Sequence, residues 1–173
     1  MASKSKTKGK SGEREASKIF EKVFGGSWQR VFGSGAFVGG ANAFRRSSLS
    51  EGQIRSSKAD IVPPDDFNIV LEIKSYSDFP FHQLVQNKEI PILETWLDEV
   101  YACIDDGDFW LLCQKFNRKG WYVLYPSEYK FDIKNHSVYY SSKHNKSYVY
   151  TGNLEEFLVL NKTKIETICK RET

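Results

Sequence analysis

Lys58–Lys74, KADIVPPDDFNIVLEIK, holds two short apolar runs, Ala59–Val62 and Ile69–Ile73. Between them lies Pro63-Pro64-Asp65-Asp66-Phe67-Asn68, a cluster of turn formers whose prolines cannot donate to a strand ladder. The pattern predicts a hairpin folded about Asp66, with Asp60 opposite Glu72 and Val62 opposite Val70. Directly paired strand residues have Cβ atoms roughly 4.5–5.5 Å apart, so two carboxylates would share one small space. Side chains alternate along a strand, which places Val70, Glu72 and Lys74 on the side of Asp60. A one-residue slip would move Asp60 to the other face, so the reading turns on register. Two acids and a lysine on one face of an apolar hairpin are costly unless an offsetting charge is present, and a divalent cation supplies one.

The length of 173 residues suits a single domain, and 40% hydrophobic with 14% aromatic residues describes a folded globular chain. A net charge of +3 says little about partners, but its distribution says more. Lys4, Lys6, Lys8 and Lys10 form one basic run, and Arg45, Arg46, Arg55 and Lys58 fall in a second polar stretch; both suit a phosphate backbone. Cys103, Cys113 and Cys169 are few and lack metal-type spacing, which points to reduced thiols and an intracellular, cytoplasmic protein. Cys103 and Cys113 read as core residues. No apolar run approaches the ~18 residues of a membrane span, and no signal-peptide hydrophobic region opens the chain.

Residues 1–10 read as a disordered arm. A helix is expected from Ser11, with Ala16, Ile19, Phe20, Val23 and Phe24 on one face and Gly25-Gly26 ending it. At ~100° per residue Glu13 borders that stripe and can reach a site on the sheet beneath, whereas Glu15 points to solvent. Trp28–Phe32 reads as a strand, Gly33-Ser34-Gly35 as a turn permitting close approach, and residues 41–57 as a long loop. Ser75–Asn87 is irregular. Further expectations are a helix over Pro91–Ile104, a central strand at Phe109–Phe116, and its partner at Trp121–Tyr125. Strands at Val138–Ser141 and Ser147–Tyr150 follow, then a helix from Leu154 capped by Asn153 with Glu156. Tyr139, Tyr140, Tyr148 and Tyr150 would lie on an exposed hairpin. No repeat is present, and the order predicts an α/β domain with a mixed sheet: a core over 11–125, with 126–173 as an extension packed on it.

Glu13, Asp60 and Glu72 with the Ile73 carbonyl form a hard oxygen set suited to magnesium, with manganese able to substitute. Such an ion stabilises charge on a phosphoryl oxygen and lowers the pKa of bound water. Lys74 could orient that water or neutralise developing charge. These parts suit phosphodiester hydrolysis; the competing reading is a strand with a surface salt bridge. Lys10-Ser11 lacks the glycine and strand of a nucleotide-binding loop, so no nucleotide cofactor is expected. His82, His136 and His144 lack metal spacing and read as surface or turn residues.

Asp60 followed by Glu72-Ile73-Lys74 resembles the D…(D/E)xK signature of restriction-endonuclease-like nucleases. Lys8-Gly9-Lys10-Ser11-Gly12-Glu13-Arg14 is similar to the K-G-x-x-x-E-R opening of archaeal-type and phage-encoded Holliday junction resolvases, and Gly33-Ser34-Gly35 to their glycine–serine turn. The resemblance implies a restriction-endonuclease-like mixed sheet flanked by helices, and a homodimeric, magnesium-dependent endonuclease acting on branched DNA in recombination and repair. By it Glu13, Asp60 and Glu72 arrange metal and water, Lys74 is the catalytic lysine and Ser34 lies near the scissile phosphate. Lys8, Lys10, Arg14, Arg30, Arg45, Arg46, Arg55 and Lys58 are the candidate DNA contacts. The loop from Gly39 to Lys58 is longer than in compact members, and residues 126–173 are additional. The alternatives are a nuclease of this fold acting on flap, nicked or duplex DNA, and a non-catalytic DNA-binding or assembly protein.

Overall fold

The computed structural model describes residues 4–31 and 59–170, with side chains from residue 9 onward. Helix α1 spans Lys4–Phe24, about two turns more than expected, so the basic run is helical from Lys4 rather than an arm. Short strands β1 (Gln29–Arg30) and β2 (Ile61–Val62) come next, then β3 (Ile69–Tyr76), α2 (Phe81–Val85) and α3 (Pro91–Cys103). The rest runs β4 (Phe109–Phe116), β5 (Gly120–Pro126), a 3-10 turn at Ser127–Tyr129, β6 (His136–Ser141), β7 (Lys146–Gly152), α4 (Leu154–Leu160) and α5 (Lys162–Cys169).

Five strands form one mixed sheet in the order β3-β4-β5-β7-β6. β3 and β4 are parallel, the connection expected when helices bridge two strands, and the other pairs are antiparallel. Residues 136–152 therefore continue the central sheet through β7 instead of adding a layer to a finished core. Odd-numbered Ile69, Leu71, Ile73, Leu111, Cys113 and Val123 bury against α1, α4 and α5. Even-numbered Val70, Trp110, Leu112, Leu124, Tyr148 and Tyr150 bury against α3. Replacing a fully buried anchor such as Phe20 of α1 by Ala would cost about 3–5 kcal/mol.

The expected hairpin is half present. A turn closes at Pro64–Phe67, where the Phe67 N–H donates to the Pro64 carbonyl at 2.9 Å, but its two legs part. Ile61–Val62 pairs antiparallel with Gln29–Arg30, not with β3. Phe67 bridges to Lys170, and the Asn68 N–H donates to the Cys169 carbonyl at 2.8 Å. Pro63 and Pro64 have no N–H to carry a ladder onward, and the Val31 N–H takes the Asp60 carbonyl at 2.9 Å. Gly26 permits this crossing: its φ is +73°, and a Cβ there would lie 2.8 Å from Pro64.

The exposed-hairpin reading of the tyrosines is corrected. Tyr139, Tyr148 and Tyr150 are buried under α2 and α3, and only Tyr140 of the four is exposed. All three cysteines are buried free thiols. The Asn153 side chain accepts from the Glu156 N–H at 3.3 Å and donates to its carboxylate at 2.8 Å, capping α4.

Candidate active site

Within an extended strand the N–H and C=O of one residue point to the same side. On β3 the backbone N–H and C=O of the odd-numbered residues point away from β4, and Asp60 meets them there. Its amide donates to the Leu71 carbonyl at 3.0 Å, and its carboxylate accepts the Ile73 N–H at 2.8 Å. Asp60 thus straddles Glu72 from the sheet edge and is itself buried. The Ile73 carbonyl points to the same edge. Asp60 and Glu72 become neighbours although the ladder expected to join them is replaced by these two bonds.

Glu72 and Lys74 project from the opposite face of β3, toward α3. Lys74 Nζ lies 2.7 Å from Glu72 Oε1 and also pairs with Glu99 of α3. Burial pushes the Glu72 carboxyl up to about 7, and the like charge of Asp60 adds to this against the opposing pull of Lys74. Burial disfavours the Lys74 ammonium, but Glu72 and Glu99 outweigh it and hold its pKa above the ordinary lysine value. Glu99 was not anticipated. Its only sequence signal is a position beside the apolar stripe of α3, and its meeting with Lys74 depends on tertiary packing.

The Glu13 carboxylate of α1 is ion-paired with Arg30 of β1 in a part-buried contact. α1 approaches β3 closely here because Gly12 has no side chain: a Cβ would stand 3.1 Å from Ser75 Cβ. The Glu13–Arg30 pair also holds Arg30 in an ion pair rather than leaving it as a simple surface contact. Glu15 is a correction. Its side chain keeps 43% of its exposure, but it is anchored: it accepts from Trp121 Nε1 at 2.6 Å and pairs with Lys115. Burial acts to raise its pKa, and these two partners overcome that and lower it.

Lys10 and Arg14 are exposed on α1. Ser34, Arg45, Arg46, Arg55, Lys58, the Gly33-Ser34-Gly35 turn and the side chain of Lys8 lie outside the described residues. His144 is not a simple surface residue: it stacks on Tyr101 with centroids 4.5 Å apart and lies 3.1 Å from Asp98. Among the described residues no group of three or more His, Cys, Asp or Glu side chains is arranged to hold a metal ion. What the site offers is two adjacent carboxylates, a backbone carbonyl and a part-buried ammonium.

A family model described as "Phage putative PDDEXK endonuclease" matches residues 4–167, nearly the whole chain. The chain belongs to this family. No curated protein and no solved structure gives a significant match. Membership makes the protein a PDDEXK nuclease with DNA as its binding partner, and the five-stranded mixed sheet flanked by helices is consistent with that fold. Among the described residues no helix is long and apolar enough to cross a membrane.

Proposed function

We propose that this PDDEXK endonuclease is magnesium-dependent and hydrolyses phosphodiester bonds in branched DNA, working as a homodimer of Holliday junction resolvase type. The observation that carries the chemistry is Asp60 clipped to the edge of β3 beside Glu72, with Lys74 paired to Glu72. Two carboxylates forced together out of water leave Glu72 with a raised pKa, and a cation would relieve that. Magnesium binds through one or two carboxylates and retains much of its water, so the donor set fits without a third acid. Asp60, Glu72 and the Ile73 carbonyl would hold it, with Glu13 available if it leaves Arg30. The bound ion would supply Lewis-acid stabilisation of a phosphoryl oxygen and acidify a water ligand.

The protein's own groups do the rest. Asp60 is fixed by its two backbone bonds, so its free carboxylate oxygen is aimed without further ordering. Lys74 stays protonated and places a positive charge where phosphate negative charge grows in the transition state. Lys10 and Arg14 of α1, with Lys8, Arg30, Arg45, Arg46, Arg55 and Lys58, would contact the DNA backbone, and Ser34 would stand near the scissile phosphate. The branched substrate rests on the similarity of Lys8–Arg14 to the resolvase opening.

The test is a panel of four-way junction, flap, nicked and linear duplex DNA in magnesium, with Asp60→Asn as control. Preferred, paired incision of the junction is expected. Equal cutting of linear duplex would remove the junction reading and keep the nuclease. Cleavage of nothing would leave a DNA-binding protein on a nuclease scaffold.

A further inference from the structure

β4 reads FWLLCQKF, and its one polar residue in the fully buried portion is Gln114, with no exposed surface. Neither its amide oxygen nor its amide nitrogen has a hydrogen-bond partner among the described residues. A carboxamide in this state is costly, and Leu or Met would fill the space without that cost. The same layer, between the sheet and α3, holds two more buried polar atoms without described partners, Trp96 Nε1 and Tyr150 Oη. The region around Gln114 is thus not built for apolar packing alone.

Its neighbours tell what it serves. In the parallel register of β3 and β4, Gln114 is paired with Lys74, and paired residues project to the same face. Lys74 carries three N–H donors. Two are taken by Glu72 and Glu99, and the described residues give the third no acceptor. Gln114 is wholly enclosed, so it cannot touch DNA and is no catalytic residue.

We infer that Gln114 is a positioning residue: its amide oxygen is a reserve acceptor that holds the Lys74 ammonium in place once Glu72 turns toward its bound cation. This rests on the nuclease reading above. In the resting site Glu72 and Glu99 hold the lysine between them. When Glu72 is drawn off, Glu99 alone, on the exposed side, would pull the ammonium toward solvent. Gln114 on the next strand opposes that pull and keeps the charge over the reaction centre.

The experiment compares Gln114→Met, which keeps shape and loses the acceptor, with Gln114→Glu, which keeps an acceptor. Wild type and Asp60→Asn run alongside on the junction substrate, with kcat, KM and thermal midpoint measured for each. Expected for Gln114→Met is a kcat lowered roughly 10-fold or more, an unchanged KM and a midpoint equal to or above wild type, while Gln114→Glu recovers most of kcat. A Met variant with wild-type kcat would overturn the inference while leaving the nuclease reading intact. So would a Met variant whose midpoint drops together with its kcat, since that marks Gln114 as structural. A wild-type protein that cuts nothing, like Asp60→Asn, would bring down both.

Discussion

Two carboxylates are withdrawn from water in the layer shared by the sheet and α3, and they are treated in opposite ways. The side chains of Glu72 and Glu94 retain 12% and 10% of their exposure, so burial alone does not separate them. Glu94 is surrounded by neutral donors: the Tyr139 hydroxyl, and the Ser141 hydroxyl at 2.7 Å. Those bonds tie β6 to α3, and the Tyr139 hydroxyl in turn accepts the Ile90 N–H at 3.2 Å. Glu72 has a like charge on one side and a lysine shared with Glu99 on the other. A carboxylate buried among hydroxyls holds a fold together. One buried beside another carboxylate is kept at a cost that only a cation or a substrate offsets.

The sharpest break between the two regions is in activity. Asp60→Asn or Lys74→Ala should lower cleavage by at least about 10²–10³-fold with native circular dichroism retained; full activity in either would remove the site assignment. Glu94→Ala should do the reverse. Stranding two buried hydroxyls costs about 2–4 kcal/mol, read as a thermal midpoint roughly 5–12 °C lower, with kcat of the folded protein unchanged.

Glu72→Gln should raise the midpoint. Folding lifts the Glu72 pKa from 4.5 to about 7, so the folded state binds that proton more tightly than the unfolded state. Its contribution favours folding below about pH 4.5 and is lost as pH climbs to 7. Above pH 7 the charged Glu72 is a liability of up to about 3 kcal/mol, reduced by the pairing Lys74 would forfeit. A gain of about 3–6 °C at pH 8 in metal-free buffer, shrinking to nothing at pH 4.5, is expected; a loss at pH 8 would contradict this account. Smallest is the effect of the ion itself. Magnesium at roughly ten times its dissociation constant should add about 2–4 °C at pH 8, less at pH 5, and little to Asp60→Asn.

Local pattern made much of this molecule readable. Phe109–Phe116 and Pro91–Cys103 declare themselves through an unbroken apolar run and a 3.6-residue period, and Asn153 through its capping partner. Asp60, Glu72 and Lys74 stood out because charged residues interrupt apolar strands. What stayed hidden depends on contacts distant in the chain. The pairing of Ile61–Val62 with Gln29–Arg30 is set by how α1 delivers β1, which no local period encodes. The burial of Tyr139, Tyr148 and Tyr150 follows from β7 docking beside β5. Glu99 and Gln114 gain meaning only once α3 and β4 lie against Lys74, since a helix glutamate and a strand glutamine carry no signature alone.

The clip made by Asp60 on β3 has a bearing on solubility. β3 ends the five-stranded sheet, and a bare strand edge is a template on which a second chain can grow. Asp60 occupies the Leu71 carbonyl and the Ile73 amide, so it also shields this rim from self-adhesion. A change to asparagine leaves an oxygen for that amide, whereas a change to alanine bares it. Proteins altered at Asp60 and at Lys74 therefore should not behave alike in concentrated solution: Asp60→Ala would clump, and Lys74→Ala would stay dispersed.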